Sequence, residues 1–152
     1  MNEVFVLVFV LVIALSYAAL VVLLATFLRG LTQRGRQVMA DSPLRTMITG
    51  IVAWVVFGGL AAWLYFQVSL ASACVAVIVP SLVCLAGAPG LYTHIGSRIA
   101  ALRTHEASDL WCVIVGSLVA LTAALFPFVG WFLVLPLLLA AEFGVGFRSL
   151  LR

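Results

Sequence analysis

From Thr46 to Ile95 the chain reads TMITGIVAWVVFGGLAAWLYFQVSLASACVAVIVPSLVCLAGAPGLYTHI, fifty residues without an Asp, Glu, Lys or Arg and with His94 as the one histidine. A helix rises about 1.5 Å per residue and the hydrocarbon core of a bilayer is about 30 Å thick, so one crossing takes about 20 apolar residues. As a single helix this stretch would be about 75 Å long, far more than one crossing needs. It must double back. Gln67, Ser69 and Ser72 form its one polar cluster, which puts the turn there and predicts spans near 46–66 and 73–95.

The flanking sequence divides by the same rule. Val4 to Leu28 fits one span, 4–28. Leu110 to Phe147 exceeds one pass, and Pro127-Phe-Val-Gly130-Trp131 supplies a tight apolar turn with aromatic anchors, giving spans near 110–126 and 131–147. A single span plus a re-entrant loop is the alternative for this last region. The 25 residues from Val4 to Leu28 are too long for the 7 to 15 apolar residues of a secretory signal, and an acid, Glu3, precedes them where a basic region would be needed. A retained helix is expected there.

Charge then orients the spans. All eight arginines fall in three windows, Arg29 to Arg45, Arg98 and Arg103, and Arg148 and Arg152, and lysine is absent. Charged residues make up 9% of the chain, against roughly a quarter in a soluble domain; 66% is hydrophobic and the mean hydropathy is +1.31. Five crossings with the amino terminus outside put every arginine window on one side, which the positive-inside rule makes the cytoplasm. The expectation is an all-α, polytopic integral membrane bundle of about five helices, with residues 1–152 as a single transmembrane domain, N-terminus out and C-terminus in. Its expected location is a bacterial inner membrane.

Local signals mark helix starts and contacts. Asp41-Ser42-Pro43 sets a capping side chain before a proline at the first helical position, and Ser108-Asp109 caps the helix beginning near Leu110. Gly50 and Gly116 then occupy similar places in the two rising spans, as duplicated hairpins would show, although chance produces such a match equally well. Ala14, Ala18 and Ala19, Gly58, Gly59, Ala61 and Ala62, and Ala140, Ala141, Gly144 and Gly146 permit close approach, within the chain or against a partner. Pro80 is expected to bend the third span. Gly87-Ala-Pro89-Gly90 is expected to interrupt it, leaving 91–102 as a separate interfacial helix with His94, Arg98 and Thr104 toward headgroups and Leu91, Ile95, Ile99 and Leu102 toward acyl chains.

Few residues offer chemistry. Glu142 is the one acid well inside an apolar run, roughly 9 Å along its helix from Arg148. An intramembrane carboxyl points to proton transfer or cation binding; the blander readings are a protonated side chain, snorkelling, or a pair with an arginine from a neighbouring loop. No second acid lies within a span to relay a proton. His94 and His105 lie eleven residues apart on one side, unsuited to bis-histidine haem ligation, which leaves His94 as a single-ligand candidate for a haem or pigment. Cys74, Cys84 and Cys112 lie inside spans without CxxC spacing, so neither a disulfide framework nor a metal site is implied. No catalytic motif is present and no enzyme is expected. Arg29, Arg34, Arg36, Arg45, Arg98 and Arg103 form a basic collar suited to lipid headgroups, the Arg29–Arg36 segment being read as a loop, and each charge near an anionic surface contributes about 1 kcal/mol. That loop is short and without aromatic residues, so nucleic acid is not an expected partner.

Asp41-Ser-Pro-Leu-Arg45-Thr-Met-Ile-Thr-Gly50, Ile95-Gly96-Ser-Arg98, Val115-Gly116, Phe126-Pro127-Phe-Val-Gly130-Trp131 and Phe143-Gly144-Val-Gly146 resemble the membrane domain appended to bactofilin-type polymer-forming proteins. The resemblance runs from about residue 30 to the end and implies structural roles for Pro127, Gly130 and Gly144. The family's cytoplasmic β-helix has no counterpart here, so the polymer-forming activity is not implied. With so few polar residues to line a pathway, the expected function is a structural or accessory subunit that packs against other integral membrane proteins and lipids, without a cofactor. The alternatives are a small transporter or channel using Glu142, and a haem- or pigment-binding subunit using His94.

Overall fold

The computed structural model describes residues 2–102 and 107–151, with side chains described for all of these except 2–4, 6, 7, 70, 71 and 73. Arg103, Thr104, His105 and Arg152 lie outside the described residues, and with them the headgroup role expected for Arg103. The described residues form six α-helices and no strand: α1 Asn2–Phe27, α2 Arg29–Asp41, α3 Pro43–Gln67, α4 Leu70–Ala101, α5 Asp109–Leu125 and α6 Leu135–Leu150, the last preceded by a π-helical stretch, Gly130–Val134. Four stretches are long and apolar enough to cross a membrane, namely Val8–Phe27, Pro43–Gln67, Cys74–Ala101 and Gly130–Leu150. At 17 residues, α5 is apolar but shorter, about 25 Å of helix.

The turns fall where the sequence placed them. Val68 and Ser69 separate α3 from α4, and the Ser69 hydroxyl accepts from the Ser72 backbone N–H. Ser108 caps α5 by accepting from the Trp111 N–H at 3.3 Å. Pro43 opens α3. Between α5 and the π-helical stretch, Phe128 takes a positive φ of 63°, a left-handed conformation that costs a non-glycine residue about 1–2 kcal/mol. It reverses the chain without a long loop.

Glycines set how close the helices come. A Cβ on Gly50 of α3 would stand 1.8 Å from the Ala140 carbonyl oxygen of α6, and one on Gly144 of α6 would stand 2.0 Å from the Thr46 oxygen of α3. Gly87 of α4 and Gly146 of α6 are matched in the same way, as are Gly96 of α4 and Gly116 of α5. Without a hydrophobic drive between helices in lipid, such backbone contact is what holds a bundle together, and Cα–H···O contacts add to it. Gly50 and Gly116 do play equivalent parts. Each lets the rising helix of one hairpin cross the descending helix of the other: α3 meets α6, and α5 meets α4. Gly58 and Gly59 have no atom within 4 Å of an added Cβ, so they are not used inside the chain.

Two expectations are corrected. The arginine-rich segment is helix α2, not a loop: Thr32, Gly35 and Val38 recur on one face and are buried while Arg29 and Arg34 face outward. Gly35 meets the Gly90 backbone of α4 and the Val145 side chain of α6, which seats α2 against the bundle. Nor does Gly87-Ala-Pro89-Gly90 end a helix. α4 continues through Pro80 and Pro89 to Ala101, because both glycines serve as contact points and Thr93 Oγ1 donates to the Pro89 carbonyl at 2.6 Å. Neighbouring helices make Pro and Gly tolerable in a membrane helix. Leu91 is therefore core, 2% exposed, and not turned toward acyl chains.

Among the described residues, the arginines converge at one end of the bundle. Arg148 Nη1 donates to Ser42 Oγ at 2.8 Å and Thr46 Oγ1 at 2.7 Å, tying the end of α6 to the start of α3. Arg36 of α2 pairs with Asp109 at the start of α5 at 3.1 Å.

Candidate functional site

The second half of helix α6 lies inside the bundle: every residue from Ala140 to Gly146 is buried, with α3 on one side through Gly144, α4 on another through Gly146, and α2 over Val145. Glu142 falls in the middle of this run. It is 2% exposed. The absence of a Cβ on Gly87 lets α4 lie directly against the Glu142 backbone carbonyl, and Tyr92 of the same helix, 1% exposed, donates its hydroxyl to Glu142 Oε1. From α1, the stripe Ala14, Tyr17, Ala18, Val21 and Ala25 faces the bundle, and Tyr17 donates to Glu142 Oε2 at 2.9 Å. Each carboxyl oxygen thus has one phenol donor, from two different helices.

No arginine pairs with Glu142 among the described residues, which corrects that reading of the site; Arg148, the near candidate, is engaged with Ser42 and Thr46. An unpaired carboxylate in an apolar medium is costly. Two O–H donors offset part of that cost, and a proton or a bound cation would remove the rest.

Glu142 and Tyr17 also stand where two apolar cavities meet. One, of about 510 Å³, lies among α1, α3, α4 and α6, with Trp54, Phe57, Ala61 and Cys84 in its walls. The other, of about 580 Å³, lies among α1, α4, α5, the π-helical stretch and α6, with Tyr92, Leu121, Trp131 and Leu138 in its walls. Both volumes are within the roughly 300–1,000 Å³ of ligand pockets. Their walls include residues half or more exposed on the bundle's outer face, Trp54 in the first and Trp131 in the second. Neither cavity is therefore sealed inside the bundle.

The remaining candidates are not brought to this site. His94 is half-buried, accepts from Ser97 Oγ through its carbonyl, and lines neither cavity. Among the described residues no group of three metal-ligating side chains occurs. Arg29, Arg34, Arg45 and Arg98 are exposed at the arginine end, while Arg36 is engaged with Asp109. Cys74, Cys84 and Cys112 are free thiols.

Tyr17 and Tyr92 were missed by sequence reasoning, yet a signal existed. Of the three tyrosines, Tyr65 lies at the end of α3 and is exposed, while the other two sit deep in apolar helices, and a phenol in hydrocarbon needs an acceptor. Glu142 is the one intramembrane acid available. No family model, no curated protein and no solved structure matches this chain, so the resemblance to bactofilin membrane domains rests on its motifs alone.

Proposed function

We propose that this protein is a small membrane-embedded binding protein that takes up a lipid-soluble molecule by its single polar group, at Glu142. One observation carries the reading: a fully buried carboxyl, without a described cationic partner, sits at the junction of two apolar cavities whose walls reach the outer face of the bundle. A purely structural bundle gains little from such a group, since apolar residues in place of Glu142, Tyr17 and Tyr92 together would leave no polar atom to satisfy. In this reading α5 is a fifth crossing, and the arginine end faces the cytoplasm of a bacterial inner membrane, in line with the positive-inside rule and the bactofilin resemblance. The exposed arginines contact lipid headgroups. The role is binding, not catalysis.

Reconstituted protein tests this with three lipid-soluble probes: tetraphenylphosphonium, decylubiquinone and oleate. Saturable binding of at least one, weakened tenfold or more by Glu142→Gln, is expected, a loss of about 1.4 kcal/mol of interaction with the carboxyl. Absence of saturable binding by all three, or binding indifferent to Glu142→Gln, overturns the reading.

A second reading, the accessory subunit that packs on other integral membrane proteins, is favoured by Gly58 and Gly59, which leave an unfilled notch on the exposed face of α3. It predicts that Gly59→Leu dissociates a complex isolated in mild detergent. Isolation of the chain alone from native membranes removes it.

A further inference from the structure

We propose that the cavity among α1, α3, α4 and α6 is the binding site for a lipophilic monocation, with Glu142 as its counter-ion and the faces of Trp54 and Phe57 around its apolar body. This rests on the reading of Glu142 as a ligand site and adds the class of ligand.

The hydrogen-bond inventory at Glu142 decides the sign of the ligand. Both nearby donors, the Tyr17 and Tyr92 hydroxyls, are already turned onto the carboxyl oxygens. What the site has left to offer is acceptor capacity and negative charge. With the carboxyl ionised, a quinone, whose oxygens only accept, finds no donor there. A fatty acid or an anionic lipid brings a second negative group to an acid that has no described arginine beside it. A cation with an apolar shell meets both requirements: it neutralises the carboxylate, and its shell replaces lipid in the cavity.

Two observations select the first cavity over the second. Tyr92 stands in the wall of the second cavity and not of the first, so the approach to Glu142 is less obstructed by a committed donor on the α3 side. Trp54 and Phe57 are both in the first, and Trp is the strongest cation–π partner, contributing about 0.5–2 kcal/mol according to desolvation. Phe57 is held in place by its ring contact with Phe143, centroids 5.7 Å apart. Tyr17 borders both cavities and serves as the partition between them.

The test uses the full chain in lipid nanodiscs, with tetraphenylphosphonium as the cation and triphenylphosphine oxide and decylubiquinone as neutral probes, read by quenching of tryptophan fluorescence and by equilibrium dialysis. Tetraphenylphosphonium is expected to bind at one site per chain and at least tenfold more tightly than either neutral probe. Glu142→Gln is expected to weaken it tenfold or more, and Trp54→Leu about 2- to 30-fold. Because a change at Glu142 also touches two tyrosines, a second pair of variants stands apart from it. Ala61→Trp fills the first cavity and is expected to abolish binding, whereas Leu121→Trp fills the second and is expected to leave it intact. Tighter binding of a neutral probe with Glu142 dependence overturns the cation and leaves the broader reading standing. Binding lost in Leu121→Trp but kept in Ala61→Trp overturns the choice of cavity. No saturable binding of any probe overturns both.

Discussion

Replacing Gly50 by alanine should loosen the bundle, and the size of the effect follows from one distance. The added Cβ would lie 1.8 Å from the Ala140 carbonyl oxygen and 3.1 Å from the Gly144 nitrogen, where ordinary contact begins near 3.4 Å. Both neighbours are backbone atoms of a helix and cannot rotate away. Helices α3 and α6 must part by about 1.6 Å, which also lengthens the Arg148–Thr46 hydrogen bond two turns of α6 beyond Ala140. Overpacking of this kind costs about 1–3 kcal/mol, against a gain of about 0.5–1 kcal/mol from alanine's helix preference over glycine. Because the clash is with backbone, the upper part of the overpacking range, about 2–3 kcal/mol, applies, and the net expectation is a destabilisation of about 1–2.5 kcal/mol. Gly59→Ala is the control on the same helix. Its Cβ meets nothing within 4 Å, so only the helix-preference term remains and the sign reverses. Reversible unfolding in dodecylmaltoside micelles titrated with SDS, followed by tryptophan fluorescence, reads both shifts. The Gly50→Ala, Gly144→Ala double variant should lose less than its two single variants together, since the first alanine already forces the separation that the second requires. If Gly50→Ala is as stable as the unaltered protein, or if Gly59→Ala falls with it, the backbone contacts do not hold the bundle.

Glu142→Leu should cost about 2 kcal/mol or more in the same unfolding measurement, because the buried Tyr92 hydroxyl and the half-buried Tyr17 hydroxyl lose their acceptor, whereas Glu142→Gln, which keeps a carbonyl oxygen, should lose less; equal losses would refute this. Tyr92→Phe should be more damaging than Tyr17→Phe, since Tyr92 is 1% exposed and Tyr17 only half-buried, and the reverse order would count against the geometry. The Arg36–Asp109 pair is exposed at 43% and 61%, so a double-mutant cycle should return no more than about 1 kcal/mol, shrinking as salt is added; a larger, salt-insensitive coupling would contradict that.

Run length and turn chemistry made most of the fold legible, because lipid leaves the backbone few options. The 67–72 turn, the Ser108 cap and the Pro127–Gly130 reversal all follow from residues whose signals are local. What was not legible depended on neighbours. Gly87-Ala-Pro89-Gly90 has the composition of a break, and only the backbones of α2 and α6 lying against Gly90 and Gly87 explain why it is a contact instead. The inner face of α2 is Thr32, Gly35 and Val38, small residues in place of large apolar ones, and they gain their meaning once Gly90 is opposite. At the site, Glu142 stood out as the one intramembrane acid, but its partners lie 125 and 50 residues away in sequence, and no spacing rule connects them.

The position of the glycines accounts for the shape of the site. The reciprocal contacts, Gly35 with Gly90, Gly50 with Gly144, Gly87 with Gly146 and Gly96 with Gly116, belong to the segments of α2 to α6 that lead toward the arginine end. There the helices touch backbone to backbone. Beyond Gly50, α3 has no buried residue at all, and its Trp54 and Phe57 side chains line the first cavity. Toward the other end α3 has no such contact, since Gly58 and Gly59 meet nothing within 4 Å, and the first cavity lies along that half of the helix. Glu142 lies one turn before Gly146, with its backbone carbonyl against Gly87, and it borders both cavities. A carboxyl at that position is held by phenols from α1 and α4 while open space adjoins it, an arrangement that a uniformly packed bundle cannot provide.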